Sequence, residues 1–517
     1  MSGRGGGLGI DLGTTHCCVY VVKYGCQPEP VPNSMGGNTI PSWVRYEQIG
    51  HEVGSNAKEQ SPENATSTVY NAKRIIGRKF EDDAVQNECK RVPFVIDNDN
   101  GSPIIRVKEC DSAGEEIYQE ALRPEKVSAT LLEHLRKMSE EFLGELPAAV
   151  ITVPANFTDN QRSATMMAAK WARFGNVTLL NEPTAAAIAY ASTMHSQGII
   201  MVIDFGGGTL DVTIMKVDST DEFKVLTTDG NSYLGGEDFD KEIVEYFLQD
   251  IHEKYNFSIE PGSSDYSSLK LVAEKAKICL SSSNIDKFRK SVFLQDGKIK
   301  HVAVLPRSAF DGMFLAILKK LLEPVTSALT SAGLTKNDID KVVLVGGSTR
   351  LPAVKRTLQR FFERNEVICT DANPDEAIAK GAALLSYRLN NNLPSNFVEI
   401  TAYHYGLELD DPGQNIMELI PRGISVPCSI TENVETAYDN QTAVRFTVFQ
   451  SKLGFRVDKY QIGYFEIWDL PARKAGECKF TITYRIDEST TLHAAVQGKD
   501  DLEHYKKNIE ITLSNRV

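Results

Sequence analysis

No apolar run in these 517 residues approaches the length of about 20 that a membrane-spanning helix needs. The chain does not open on an apolar leader. MSGRGGGLGIDLGTT enters a strand pattern almost at once, so no secretory signal is expected. The closing residues Ser514 to Val517 match no retention or lipidation signal. No two cysteines have the C-x-x-C spacing of a metal or redox site. The nine cysteines are odd in number, which fits free thiols in a reducing compartment. Basic residues are not in excess either. The net charge is −13 and the pI is near 5.4, which argues against a general binder of nucleic acid or of anionic membranes. The expected compartment is the cytoplasm, with the nucleus left open.

What is present is an ordinary globular composition, 42% apolar and 24% charged, on a chain long enough for more than one domain. Its organising stretch is Val202 to Val212, VIDFGGGTLDV. Two apolar strand patterns flank a turn with glycine at 206, 207 and 208, framed by Asp204, Thr209 and Asp211. Glycines let backbone N–H groups approach a phosphate, and a carboxylate at a strand end can hold Mg²⁺ through water. A plain glycine hairpin would look similar. The motif gains weight because it occurs twice: Asp11-Leu12-Gly13-Thr14 matches Asp204-Phe205-Gly206-Gly207 at an offset of 193 (204 − 11).

A second motif repeats at nearly the same offset. Strand Ala148 to Pro154, helix Asp159 to Phe174, strand Val177 to Asn181 and a helix entered at Pro183 recur as Lys341 to Gly347, Pro352 to Arg364, Glu366 to Thr370 and Pro374 to Leu389. The offsets are 193 (341 − 148) and 191 (374 − 183), which indicates internal duplication. Strand–helix alternation predicts α/β lobes, and two facing lobes would put both glycine turns into one cleft. Residues 39–146 and 220–338 read as insertions. The first carries a helix with Val127, Leu131, Leu135, Met138 and Phe142 on one face. The second carries LGGEDFD at 234–240 and a helix over Leu269 to Leu280. The polar run 390–399 reads as a linker between a domain at 1–389 and a module at 400–517. In that module, short strands separated by turns predict an all-β sandwich.

GIDLGTT, NAKRIIGR, ITVPANFTDNQR, NEPTAAAIAYA, VIDFGGGTLDV, LGGEDFD, VGGSTRLP and NPDEAIAKGAA, in this order, resemble the 70-kDa heat-shock chaperone family within the actin-like ATPase superfamily. The resemblance runs from about Leu8 to about Leu513. It implies a duplicated actin-like ATPase domain followed by a β-sandwich, with ATP or ADP and Mg²⁺ as cofactors. It implies that Asp11, Gly13, Thr14 and Thr15 form the first phosphate loop and Gly206, Gly207, Gly208 and Thr209 the second. Asp11 and Asp204 would orient water around Mg²⁺. Lys73, beside Glu182, would position the attacking water with help from Thr209. Gly346, Gly347, Ser348 and Arg350 would border the adenosine, with Glu274, Lys277 and Asp375 on the nucleoside. Pro154 and Arg162 would couple the nucleotide state to the linker. Ala437, Val444 and Phe446 would line a peptide cleft. Implied partners are unfolded or nascent polypeptides, a J-domain co-chaperone and a nucleotide-exchange factor, with no nucleic acid and no membrane.

The chain also departs from that pattern. Ile278 stands where the family usually has an arginine that stacks on adenine, so cation–π attraction is absent from that face. Pro394 to Glu399 is poorer in leucine than the usual linker, and Thr178 replaces an arginine expected to meet it. Asp410 and Asp411 occupy an arch that is usually apolar. The sequence shows no helical lid after its last strand pattern. His16 and Cys279 read as structural residues of a turn and a core, and Cys17 and Cys18 as buried strand residues. The expectation is an ATPase chaperone acting on unfolded chains. Two rivals are a weakly catalytic or non-catalytic adaptor, ribosome-associated or otherwise, working through a partner chaperone, and a small-molecule kinase of the same superfamily. The β module and LGGEDFD argue against the kinase.

Overall fold

The structure is a computed structural model that describes residues 5–110, 116–118, 121–192, 197–218, 222–369, 373–394, 397–409 and 415–510. Contacts divide the chain into two compact units. The first comprises 1–156, 165–217 and 228–395; the second comprises 157–164, 218–227 and 396–517. Among the described residues no helix is long and apolar enough to cross a membrane.

The first unit is built twice on one plan. Gly7–Leu12 and His16–Val22 pair antiparallel, and Ala149–Val153 and Val177–Asn181 add in parallel on the other side of Gly7–Leu12. Gly198–Phe205 and Leu210–Val217 form the matching hairpin, with Lys341–Val345 and Ile368–Cys369 added in parallel. The registers repeat as well as the order. Leu8 faces Ala149 and Met201 faces Val342, so both members are displaced by 193 (201 − 8 and 342 − 149). Ala149 faces Val177 and Val342 faces Ile368, where the displacement becomes 191 (368 − 177). The two offsets in the sequence are therefore the offsets of strand pairing. The central strands are apolar and buried on both faces, as strands covered on two sides must be.

Two alanine-rich helices close these sheets, Glu182–Ala191 and Ala377–Asn390. They cross each other, and the second lies on the hairpin of the first half. Small residues make the approach possible. A Cβ on Gly381 would sit 1.8 Å from the Ala185 carbonyl oxygen, and one on Gly9 would sit 2.1 Å from the Ala383 nitrogen. Sequence boundaries hold elsewhere with small shifts: the expected helix at 269–280 runs Ser264–Ser282, and the striped helix runs Pro124–Leu143 with Val127, Leu131 and Leu135 buried.

The second unit is a sandwich of two four-stranded sheets. One has the order Asn415–Ile420, His404–Leu409, Val444–Ser451, Tyr460–Ile467. The other has Cys428–Glu435, Lys479–Ile486, Leu492–Gly498, Lys506–Glu510. Strand Asn415–Ile420 is not expected from the sequence, and the apolar pattern over Ile400 to Glu408, which predicts a strand, becomes one only from His404. Ile400 makes a single bridge, to Ser425. In this same unit Phe397–Val398, inside the expected linker, pairs in parallel with Phe223–Lys224. Segment 157–164 also belongs to the unit. Its Asp159 is buried, its Oδ1 accepts the Leu492 N–H at 2.8 Å, and its carboxylate accepts from the Tyr405 hydroxyl. Arg162, also buried, donates to the Ser489 carbonyl at 3.5 Å. Asp410 and Asp411 lie outside the described residues.

Two stability changes are expected. Gly381→Ala should destabilise by about 1–3 kcal/mol through overpacking, although alanine is the better helix former by about 1 kcal/mol. Denaturant unfolding decides the sign. Asp159→Ala should lose about 1–3 kcal/mol, because the Leu492 N–H is left buried without an acceptor, while Asp159→Asn, which keeps one, should lose less. Burial raises the Asp159 carboxyl above its ordinary value, so the folded state binds that proton more tightly. The contribution of this group to stability therefore falls as pH rises above the ordinary carboxylate range.

Candidate functional site

The two glycine turns of the first unit meet at the floor of a cavity of about 390 Å³. Their contact explains their composition. A Cβ on Gly207 would lie 2.2 Å from Thr15 Oγ1, and one on Gly208 would lie 2.7 Å from Thr14 Cγ2. Any side chain at 207 or 208 would displace the opposite turn. Gly13 is similarly confined, its Cβ position lying 2.0 Å from the His16 carbonyl oxygen. The remaining backbone is fixed by turn bonds: Gly206 N–H donates to the Thr209 carbonyl at 3.0 Å, and Ser348 Oγ donates to the Gly206 carbonyl at 2.7 Å. Gly346 has φ of +79°, and a Cβ there would lie 2.7 Å from Asp204 Oδ1.

Charge collects above this floor. Lys73 Nζ donates to Glu182 Oε1 at 2.6 Å, both side chains being buried. Asp11 and Asp204 face the same cavity. Burial, then the Glu182 carboxylate, pushes Asp11 up to about 7 against the pull of Lys73. Burial, then Glu182, Asp211 and Asp11, holds Asp204 well above the carboxylate range. One ammonium does not offset three carboxylates, and a divalent cation would. Among the described residues no three side chains cluster as metal ligands. A cation held here by Asp11 and Asp204 would keep most of its water, which suits Mg²⁺.

Away from the floor the walls become mixed. Lys277 Nζ donates to Asp240 Oδ2 at 2.7 Å and to the Gly236 carbonyl at 2.9 Å. Arg350 Nε donates to Asp375 Oδ2 at 2.8 Å. Lys58 Nζ lies 2.6 Å from Glu274 Oε2. Burial alone would raise Glu274, but Lys58 and Lys277 hold it below its ordinary value. Ile278 lines this end and is 58% exposed. Burial, then Lys58, lowers His16 to about 4, so the ring is neutral at physiological pH, with Nδ1 3.3 Å from Thr15 Oγ1. Cys17 and Cys18 are buried, and burial pushes the Cys17 thiol up to about 12. Cys279 is half-buried, with Sγ 3.9 Å from Ser283 Oγ, and borders no cavity described here.

The structure thus gathers Asp11, Gly13, Thr14, Thr15, Lys73, Glu182, Asp204, Gly206, Gly207, Thr209, Glu274, Lys277, Gly346, Gly347, Ser348, Arg350 and Asp375 around one cavity. Gly208 lies just behind it, against Thr14. Pro154 and Arg162 do not border it. Neither do Ala437, Val444 and Phe446: Val444 and Phe446 are 9% and 8% exposed and lie in the sandwich core, where Phe446 meets Phe480 at 5.7 Å between ring centroids. Lys58 and Asp240 were not singled out from the sequence. Lys58 is a lysine in an insertion with no surrounding pattern, and its partner lies 216 residues away.

A family model described as Hsp70 protein matches the chain over residues 7–517. The charge balance at the floor is open to test. Lys73→Ala leaves Glu182 buried without its cation and should cost about 3–5 kcal/mol in the nucleotide-free protein. Denaturant unfolding of the variant beside the parent chain measures this.

Proposed function

The chain belongs to the Hsp70 family, and on that premise we propose that it hydrolyses ATP with Mg²⁺ in the cleft just described, slowly, to control the binding of unfolded or nascent polypeptides. Members of the family are ATPases that bind ATP or ADP with Mg²⁺, and they bind unfolded polypeptides and co-chaperones. The observation that carries the proposal for this chain is the pairing of two glycine turns beneath the Lys73–Glu182 pair and the carboxylates of Asp11 and Asp204.

Phosphoryl transfer needs placement and charge neutralisation more than covalent help. Mg²⁺, when bound with the nucleotide, neutralises charge on the phosphate oxygens. The chain supplies the rest. The turns at 13–15 and 206–209 present backbone N–H groups to the phosphates. Asp11 and Asp204 hold the water around the cation. Lys73, fixed by Glu182, orients the attacking water, and Thr209 borders the same space. Lys277 and Arg350, each tethered by a carboxylate, hold the nucleoside end. Pro154 and Arg162 act as coupling residues, and the strand at 397–398 is the segment through which the nucleotide state reaches the sandwich. A J-domain co-chaperone and an exchange factor are its proposed regulators, and the cytoplasm its proposed compartment. The boundaries 1–389, 390–399 and 400–517 remain the proposed functional division.

A second reading is an adaptor that binds ATP structurally and acts through a partner chaperone. The burial of Val444 and Phe446 in the sandwich core favours it, because residues that fill a core do not clamp diverse peptides.

Single-turnover ATP hydrolysis by the full chain separates these readings. Lys73→Ala should slow it by on the order of 10²–10³-fold. An unchanged rate would remove Lys73 from the mechanism. An extended hydrophobic peptide should raise steady-state turnover of the parent chain. Tight ATP binding without turnover, and without a response to peptide, selects the adaptor.

A further inference from the structure

Charge is unevenly spread over the first unit. Lys287–Leu294 and Ile299–Pro306 pair antiparallel into a ribbon that no other described strand joins. Residues 287–306 hold five cations, Lys287, Arg289, Lys290, Lys298 and Lys300, and one carboxylate, Asp296, in a chain whose net charge is −13. Alternation along the strands sorts them. Phe288, Val292 and Leu294 are buried, and so are His301, Ala303 and Leu305. Lys287, Arg289, Ser291 and Phe293 face solvent on the other side, as do Lys300 and Val302.

The outer face thus joins three cations to a Phe293 ring that is 60% exposed, and no outward position on either strand carries a carboxylate. Phe293 is directly opposite Lys300, whose Nζ lies 5.9 Å from the ring centroid. At the ribbon's margin Lys290 meets Lys275 of helix Ser264–Ser282. Burial, then Lys275, lowers the Lys290 ammonium below its ordinary value against the pull of Glu59. None of Lys275, Lys287, Arg289, Lys290, Lys298 and Lys300 has an ion-pair partner among the described residues. In and beside the cleft the opposite holds: Lys58, Lys73, Lys270 and Lys277 each have a carboxylate oxygen within 3.2 Å. The ribbon is therefore a local positive field that the protein leaves unneutralised.

We propose that the outer face of this ribbon docks single-stranded RNA, with Lys287, Arg289 and Lys300 on phosphates and Phe293 as the platform for an unpaired base. The combination of cations with an open ring selects this ligand. Cations track the backbone of a single strand while its bases stack on aromatic side chains. An acidic peptide would match the cations and leave the ring without a stacking partner. A duplex keeps its bases stacked on one another, and the deep, narrow major groove of an RNA helix does not admit such a face. In the cytoplasm, the proposed compartment, an unpaired strand is RNA. The net charge of −13 argues against polyanion binding over the whole surface, not on one face free of carboxylates. The proposal is independent of the assignment of the cleft.

Fluorescence anisotropy of a labelled oligouridylate of about 12 nucleotides, titrated with the full chain at several salt concentrations, tests this. Affinity should fall with salt at a log–log slope of about −2, as three phosphate contacts require. The triple variant Lys287→Gln, Arg289→Gln, Lys300→Gln should flatten that slope and lose at least about tenfold in affinity at low salt. Phe293→Ala should lose at least about fivefold with the slope unchanged, and Phe293→Tyr should keep the parent affinity. All four side chains are exposed, and far-UV circular dichroism checks that the variants are folded. No saturable binding at low salt, or binding that the triple variant and Phe293→Ala both leave within about twofold of the parent, overturns the proposal. So does displacement of the oligouridylate by an oligoglutamate of equal charge, or by duplex RNA of equal length, as effective as displacement by unlabelled oligouridylate. The first would assign the face to acidic protein segments, the second to a duplex.

Discussion

Two turns without side chains touch, and the rest of the first unit is arranged so that they can. Gly207 and Gly208 lie against Thr15 and Thr14 with no room for a Cβ. Both turns must arrive at that point from strands in the right register, one hairpin from each half. The matched registers of the parallel strands, displaced by 193, bring them there. Each half alone would present one glycine turn to solvent, a weak anion site at best. Two opposed turns instead close the floor of one cavity.

Enclosure has an electrostatic cost. Burial penalises every charge over that floor, and the side chains there are mutually repulsive apart from Lys73. The raised carboxyls of Asp11 and Asp204 express that burial first and the repulsion second. A divalent cation would offset that charge. The walls farther out follow a different logic, since each cation there is matched to a carboxylate and little repulsion remains.

Much of this was legible in the sequence, and the reasons differ by region. Glycine turns and apolar strands are local signals, and repetition at one offset carried them beyond coincidence. That is why the turns with Asp11 and Asp204 could be paired before any coordinates, whereas Lys73 and Glu182 were assigned through the resemblance to the 70-kDa heat-shock family. Lys58 with Glu274, and Lys277 with Asp240, are pairings through space, and nothing local marks either lysine as different from a solvated one. Strand Asn415–Ile420 reads NIMELI, without clean alternation, and the pairing of Phe397–Val398 with Phe223–Lys224 is two residues long. In the sandwich, the family resemblance assigned Val444 and Phe446 to one lined side. It could not show whether that side faces a ligand groove or a core, because both bury the same residues.

The crossing of helices Glu182–Ala191 and Ala377–Asn390 has a mechanical consequence. At its centre Gly381 lies against the Ala185 backbone, where a Cβ would not fit. Ridges set into grooves resist rotation, because turning one helix lifts each knob from its hole. A smooth crossing has no knobs to lift. Small residues at the centre would let the two helices turn through small angles without opening a void. The duplication that placed the two glycine turns also placed this contact, and the bulk of the residue at 381 sets how closely the two helices approach.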